Sequence, residues 1–249
     1  MNEFTIKEPK RLSRDAALFL DFDGTLVELA ATPGAIRVPA ELPGLLSLLA
    51  RRLGGRVAIV SGRSIEDLDR HLGPSRLAVS GSHGLELRLA DGTYIPVETP
   101  EWLGPARLQI ADFASSAGLL VEEKPSSLAL HYRNAPEREG EVMALLAAIA
   151  EPRRLVVQRG KMVAELRPPG ADKGDALRRL MAEPQFASAR PLFVGDDLTD
   201  EDGFAAAASM GGGGILVGQA RQTAARWRLD DVRAVIGWLE ASVAEPDRG

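Results

Sequence analysis

Short apolar runs separated by amphipathic stretches fill both ends of the chain. Ala16-Ala17-Leu18-Phe19-Leu20 is apolar throughout and stops at Asp21; its brevity, with Gly24 just beyond, predicts a buried strand. Arg56-Val57-Ala58-Ile59-Val60, running into Ser61-Gly62-Arg63, predicts a second, and Leu77-Ala78-Val79-Ser80 a third. Between them, 42–53 has helical spacing and is closed by Gly54-Gly55, while Ser64 with Asp67 forms an N-cap pair that opens a helix over 65–72. The rhythm returns after Ala171. Helices are predicted at 173–182 and 200–210, with a strand at 191–194 between them. A flexible glycine loop at 211–214 precedes Ile215-Leu216-Val217. A terminal helix over 231–243 carries Val232, Val235, Ile236 and Leu239, and the tail 244–249 is expected to fray. Buried strands alternating with helices predict a parallel sheet covered on both faces.

The pattern differs between about 102 and 170. A helix at 106–116 precedes strands at 119–124 and 127–133, joined by Pro125-Ser126. A second helix at 136–150 has Leu145, Leu146, Ile149 and Ala150 on its apolar side. Strands at 155–158 and 162–166 then flank Arg159-Gly160-Lys161. Helix-strand-strand, twice over, predicts an antiparallel sheet with helices on one face. The expected fold is therefore α/β: a Rossmann-like parallel-sheet core from 1–101 and 171–249, interrupted by an inserted α+β domain at 102–170.

Composition narrows the chemistry. Hydrophobic residues make up 45% and charged residues 26%, an ordinary balance for a folded domain. With no cysteine, disulfides and thiolate metal sites are excluded, and three histidines argue against a histidine-rich zinc site. No apolar run approaches the roughly 18 residues of a membrane span, and residues 1–14 lack the apolar core of a secretory signal, so a cytoplasmic protein is expected. A net charge of −5 argues against bulk nucleic-acid binding. The expected partner is a small anionic substrate, and the expected assembly a monomer.

The candidate chemistry stands at strand ends. In Asp21-Phe22-Asp23-Gly24-Thr25 extended geometry turns Asp21 and Asp23 the same way and Phe22 toward the core. Adjacent carboxylates repel unless a cation or proton holds them. One carboxylate can attack phosphorus, and the other can protonate the leaving oxygen and later activate water. Asp21 is thus the expected nucleophile and Asp23 the acid/base. Gly24-Thr25 lets backbone N–H groups approach a phosphate, and Ser61-Gly62 offers a hydroxyl and N–H groups at a helix start. Lys173 opens a helix, where a cation is unfavourable without an anion beside it; a phosphate or Asp21 would serve. Gly195-Asp196-Asp197-Leu198-Thr199-Asp200-Glu201 crowds four acids into six residues, and oxygen-only donors suit Mg²⁺. The ion is expected against Asp21, the backbone carbonyl of Asp23 and Asp196, with Asp200 in its outer shell.

This ordered set resembles the haloacid dehalogenase superfamily in its phosphatase branch. The resemblance covers roughly 15–100 and 171–243, and the insertion is similar to that family's C2-type cap. Ser61-Gly62-Arg63, Gly81-Ser82-His83-Gly84-Leu85-Glu86 and the 195–201 motif look more closely like trehalose-6-phosphate phosphatases. Within the insertion, Glu122-Glu123-Lys124-Pro125, His131-Tyr132-Arg133 and Gly160-Lys161-Met162-Val163-Ala164-Glu165 resemble that family's sugar-contacting segments. The resemblance implies Mg²⁺-dependent hydrolysis of trehalose 6-phosphate through an aspartyl-phosphate. It also implies that Glu122, Lys124, Arg133, Lys161 and Glu165 hold the disaccharide. The alternatives are a related phosphatase for sucrose phosphate or mannosylglycerate phosphate, and a non-catalytic sugar-phosphate sensor.

Overall fold

The computed structural model describes residues 6–30, 32–73, 76–95, 101–124, 127–168 and 172–244. The Pro125-Ser126 joint and the tail beyond 244 lie outside these residues. The chain divides into two compact units, Met1–Ile95 with Ala171–Gly249, and Pro96–Gly170.

The first unit is built on an eight-stranded sheet. Its strands are β1 (Ala16–Leu20), β2 (Val57–Val60), β3 (Ala78–Gly81), β4 (Glu86–Arg88), β5 (Tyr94–Ile95), β10 (Arg190–Gly195), β11 (Gly213–Val217) and β12 (Trp227–Leu229), in the order β12-β11-β10-β1-β2-β3-β4-β5. All pairs from β12 to β3 are parallel; β4 and β5 add antiparallel. Alternate residues of β1 serve opposite layers. Leu18 and Leu20 pack with helices α1 (Leu42–Arg52), α2 (Ile65–Leu72) and α7 (Val232–Val243), through Leu46, Leu49, Leu68, Val235 and Leu239. Ala17 and Phe19 face α5 (Lys173–Met181) and α6 (Glu201–Ser209), through Leu177, Leu180, Phe204 and Ala207. Burying a phenylalanine such as Phe19, Phe193 or Phe204 contributes roughly 1.5–3 kcal/mol, so this double-sided core fixes the sheet firmly. Side chains cap α2, as the sequence indicates, and α7. Ser64 Oγ accepts from the N–H of Asp67 (3.2 Å), and Asp231 Oδ1 from that of Ala234 (2.8 Å).

The second unit has one antiparallel sheet, β6 (Leu120–Glu123), β7 (Leu128–His131), β8 (Val156–Gly160) and β9 (Val163–Arg167), ordered β6-β7-β9-β8. Leu128, Leu130, Ala164 and Leu166 pack on one face against α3 (Leu103–Ala117) and α4 (Glu139–Ala150). The α/β class, the parallel core sheet and the α+β insertion all stand.

Several elements differ from the sequence expectation. Gly213 and Gly214 are buried strand residues rather than a flexible loop: a Cβ on Gly213 would lie 2.7 Å from the Trp227 ring, and one on Gly214 2.5 Å from Phe204. These glycines admit bulky neighbours to the sheet. The β4–β5 hairpin and β12 were not anticipated, and α3 starts three residues before the expected 106. Among the described residues no helix is long and apolar enough to cross a membrane.

Candidate active site

The register of the parallel strands sets the site. Leu20 pairs with Val194 on one side and Ile59 on the other, and Val60 pairs with Ser80. Asp21, Asp196, Ser61 and Ser82 therefore leave the sheet at its carboxyl edge, where ligands gather in open α/β sheets. Asp21 is 4% exposed and Lys173 3%. Lys173 Nζ donates to Asp21 Oδ1 (2.8 Å) and to Asp200 Oδ1 (2.5 Å), joining residues 152 and 27 positions apart. Oxygens of Asp21, Asp196 and Asp200 lie within 4.8 Å of one another.

Electrostatics marks this cluster as short of positive charge. Burial pushes the Asp21 carboxyl well above the usual aspartate range; Lys173 pulls it down, while Asp200 and Asp196 push it further up. For Lys173, burial works to discharge the amine, but Asp200 and Asp21 outweigh it and keep it protonated. One ammonium does not balance three carboxylates, and a divalent cation would. The donor set fits such an ion: all oxygen, from different segments. Both oxygens of Asp200 are engaged, Oδ1 by Lys173 and Oδ2 by the N–H of Asp197 (2.8 Å), which fits Asp200 to stand behind the ion rather than in direct contact with it.

The loop after β1 is tight. The N–H of Gly24 donates to the carbonyl of Val27 (2.7 Å), and that of Leu26 to Phe22 (2.9 Å). Gly24 has φ +81°, and a Cβ there would sit 2.3 Å from Asp196 Oδ2, so only glycine lets the two acidic loops meet. Phe22 is fully buried, as is Thr25, whose hydroxyl has no hydrogen-bond partner among the described residues. Asp23 is not part of that carboxylate cluster; its carboxylate pairs with an arginine. Arg63 donates through Nε to its Oδ2 (2.6 Å) and through Nη2 to its Oδ1 (2.8 Å), while Nη1 donates to Asp67 (2.5 Å). Ser61 is buried; its Oγ accepts from the N–H of Arg63 (3.1 Å), and its carbonyl accepts from that of His83 (3.0 Å). The His83 ring lies against Gly62, where a Cβ would be 2.5 Å from Nε2.

In the second unit the five proposed sugar contacts fall into two groups. Glu122, Ala129, Glu165 and Gln158 stand in one row across the sheet, on the face opposite its apolar core. Lys124 Nζ donates to Glu165 Oε2 (2.8 Å), and Ser127 Oγ to Oε1 (2.5 Å). Glu122 Oε2 bonds His131 Nε2 (2.8 Å). Burial works to raise the Glu122 carboxyl, but His131 and nearby Lys124 outweigh it and hold the group below the usual glutamate range. Arg133 and Lys161 form the second group. Both are exposed, joined where Arg133 Nη2 donates to the Lys161 carbonyl (3.3 Å), beside the β8–β9 turn.

A family model described as trehalose-phosphatase matches residues 19–233. The chain belongs to the trehalose-phosphatase family. Within that family, a probable trehalose-phosphate phosphatase of Sinorhizobium fredii is 41% identical over 205 residues, 81% of this chain and 77% of the relative. The trehalose-6-phosphate phosphatase of Escherichia coli is 38% identical over 239 residues, covering 94% and 89%. Among solved structures, the C-terminal domain of C. albicans trehalose-6-phosphate phosphatase superposes with TM-score 0.82 over 94% of this chain and 93% of its own; at 21% identity that likeness concerns the fold. A trehalose-6-phosphate phosphatase related protein has TM-score 0.77 and 27% identity, over 91% and 96%.

Three features of this trehalose-phosphatase site were not assigned from sequence. Arg63 lies in the Ser61-Gly62-Arg63 motif, but its partner Asp23 is 40 positions away, so its role has no local signal. His83 has a left-handed backbone, φ 54°, following Ser82 at φ 49°, which nothing in the sequence signals. Glu201 pairs with Arg221, 20 residues on, again without a local signal.

Proposed function

We propose that the chain hydrolyses trehalose 6-phosphate to trehalose and inorganic phosphate, the last step of trehalose biosynthesis, with Mg²⁺ and a phosphate carried transiently on Asp21. The observation behind this reading is the buried Lys173 joining Asp21 to Asp200 beside Asp196, at the ends of neighbouring parallel strands. Residues 1–101 and 171–249 are assigned the phosphoryl chemistry, and 102–170 the recognition of the sugar.

Asp21 attacks phosphorus, forming an Asp21 O–P bond as the P–O bond to the sugar breaks. Asp23 gives its proton to the departing sugar oxygen. Water then attacks the same phosphorus, Asp23 takes up a proton from it, and the Asp21–phosphate bond breaks to release inorganic phosphate. Lys173 supplies a fixed positive charge beside the attacking oxygen, and Ser61 and the Gly62 N–H orient the phosphate; contrary to the sequence expectation, the N–H groups of Gly24 and Thr25 are taken by the carbonyls of Val27 and Phe22, so these two residues shape the loop beside it. Asp21, Asp196 and the carbonyl of Asp23 would hold Mg²⁺, with Asp200 behind them; when bound, it offsets the repulsion between the attacking carboxylate and the phosphate.

Phosphate release across a panel of sugar phosphates, with and without Mg²⁺, tests the reading. Chelation by EDTA is expected to lower turnover at least about 100-fold, and added Mg²⁺ to restore it. Full activity after exhaustive chelation refutes the metal assignment. Saturating Mg²⁺ should also raise the melting temperature. At about 100 times the dissociation constant the gain is about 2.7 kcal/mol, or roughly 5–10 °C for a domain of this size.

The sugar assignment has its own test. Glu165 is 6% exposed and gripped by Lys124 and Ser127, so its carboxylate is already ordered for a hydroxyl. Glu165→Ala is expected to lower kcat/KM for trehalose 6-phosphate about 10- to 150-fold, the loss of a hydrogen bond to a charged group worth roughly 1.5–3 kcal/mol. For a small aryl phosphate the loss should stay within about three-fold, since that ester has no second sugar to hold. Equal losses on both would place Glu165 in the architecture of its own sheet. Glucose 6-phosphate turned over as efficiently as trehalose 6-phosphate by the wild type would remove the disaccharide claim and leave the phosphatase reading intact.

A further inference from the structure

The acidic loop that carries Asp196 is gripped from a side that takes no part in the chemistry. Arg221, on the segment after β11, donates through Nη2 to the carbonyl oxygen of Asp197 (2.9 Å) and through Nη1 to Glu201 Oε1. The other oxygen of Glu201 accepts from the N–H of Ala224 (2.7 Å) and from Thr223 Oγ1 (3.1 Å). Thr223 Oγ1 in turn accepts from the N–H of Ala225 (3.0 Å). One guanidinium and one carboxylate thus tie 221–225 to both ends of 197–201. From the inner side Asp200 holds the same loop, through Lys173 and the N–H of Asp197. The Asp196 carboxylate lies close against Gly24; the peptide after Asp196 gives its N–H to Asp200, and Arg221 holds the next one, Asp197–Leu198, by its carbonyl.

We infer that Arg221, acting with Glu201, is a positioning residue for the divalent metal: it fixes the Asp197–Leu198 peptide, and with it the loop that carries Asp196, so that the Asp196 carboxylate stands where it can share a cation with Asp21. The inference rests on Asp21 and Asp196 being the metal's donors. Groups behind metal ligands commonly contribute 10–100-fold to affinity. Arg221 grips the backbone one residue beyond the ligand, not the ligand's own carboxylate, so a loss of about ten-fold is expected.

The sign of the effect separates positioning from charge. Arg221 is a cation near an acidic cluster, and removing it leaves Glu201 unpaired and the region more negative. By Coulomb attraction alone, a divalent cation would then bind more tightly. Positioning demands weaker binding.

Calorimetric titration of the full chain with Mg²⁺, well below its unfolding temperature, reads the difference. Arg221→Ala should bind about ten-fold more weakly, with kcat recovering at saturating Mg²⁺. Thr223→Val removes one tie to Glu201 without changing charge and should bind a few-fold more weakly. Unchanged or tighter binding by Arg221→Ala overturns the proposal. Should that variant fail to fold, Thr223→Val decides: unchanged affinity overturns the proposal, and weaker affinity supports it. A wild-type chain that takes up no Mg²⁺ overturns the metal assignment itself, and the proposal with it.

Discussion

Asp21→Asn should leave a folded protein whose turnover falls on the order of 10⁴-fold or more, the scale of loss when a covalent nucleophile is removed. The amide matches the carboxylate in shape but lacks the charged oxygen that attacks phosphorus. The substitution is also favourable for the metal-free fold. Asp21 is buried beside Asp200 and Asp196, and burial pushes its carboxyl well above the usual aspartate range. A carboxyl whose folded-state pKa is raised contributes stability below its unfolded pKa, and that contribution is lost as pH rises through the folded value. Once ionised, the group therefore weakens the metal-free fold, while Lys173 still keeps Asp200 as a partner in the variant. In EDTA, Asp21→Asn is expected to melt no lower than the wild type, which a calorimetric scan measures. A drop in activity with a parallel drop in melting temperature would assign Asp21 to the fold. Turnover within ten-fold of wild type would end the covalent mechanism.

What could be read from the sequence follows from how local each signal is. Strands such as Ala16–Leu20 and Val57–Val60 are buried on both faces of a parallel sheet, and such strands appear as unbroken apolar runs. The same rule hides short edge strands. Trp227–Leu229 has only three residues, too few for a period. The β4–β5 hairpin did leave a trace: Leu85, Leu87 and Leu89 alternate with Glu86 and Arg88, and Asp91-Gly92 follow as a turn. Glycines misled where spacing, not flexibility, is their purpose, as at Gly213 and Gly214 under Trp227 and Phe204.

Asp21, Lys173 and Asp196 were visible because each stands at an element boundary, where an unpaired charge is conspicuous in a single sequence. Pairings across the fold were not. Alternation along β6 and β9 indicates which side chains share a face, but not that Lys124 reaches Glu165, 41 positions away. Arg221 sits in a segment with no periodic pattern, and only the return of that segment to 197–201 gives it a role.

The clamp on Asp23 sharpens the second large effect. For Asp23→Asn, kcat/KM on trehalose 6-phosphate should fall on the order of 10²–10⁴-fold, the usual contribution of a positioned proton donor. This quantity covers only the steps up to departure of the leaving group, so it isolates the acid role. The later activation of water by Asp23 affects kcat instead. A sugar alkoxide departs poorly without a proton, whereas the phenolate of an activated aryl phosphate departs without one. On the aryl ester kcat/KM should therefore stay within about ten-fold of wild type. The substitution also disturbs structure in a defined way. Arg63 presents N–H donors to both oxygens of Asp23, so the asparagine NH₂ would meet a donor and the two-point contact would break. Arg63 keeps Asp67 at 2.5 Å and its place 5.7 Å from the Phe22 ring centroid, which limits the damage. Losses of similar size on both esters would assign Asp23 to holding Arg63 and the 22–27 loop in place, not to proton transfer.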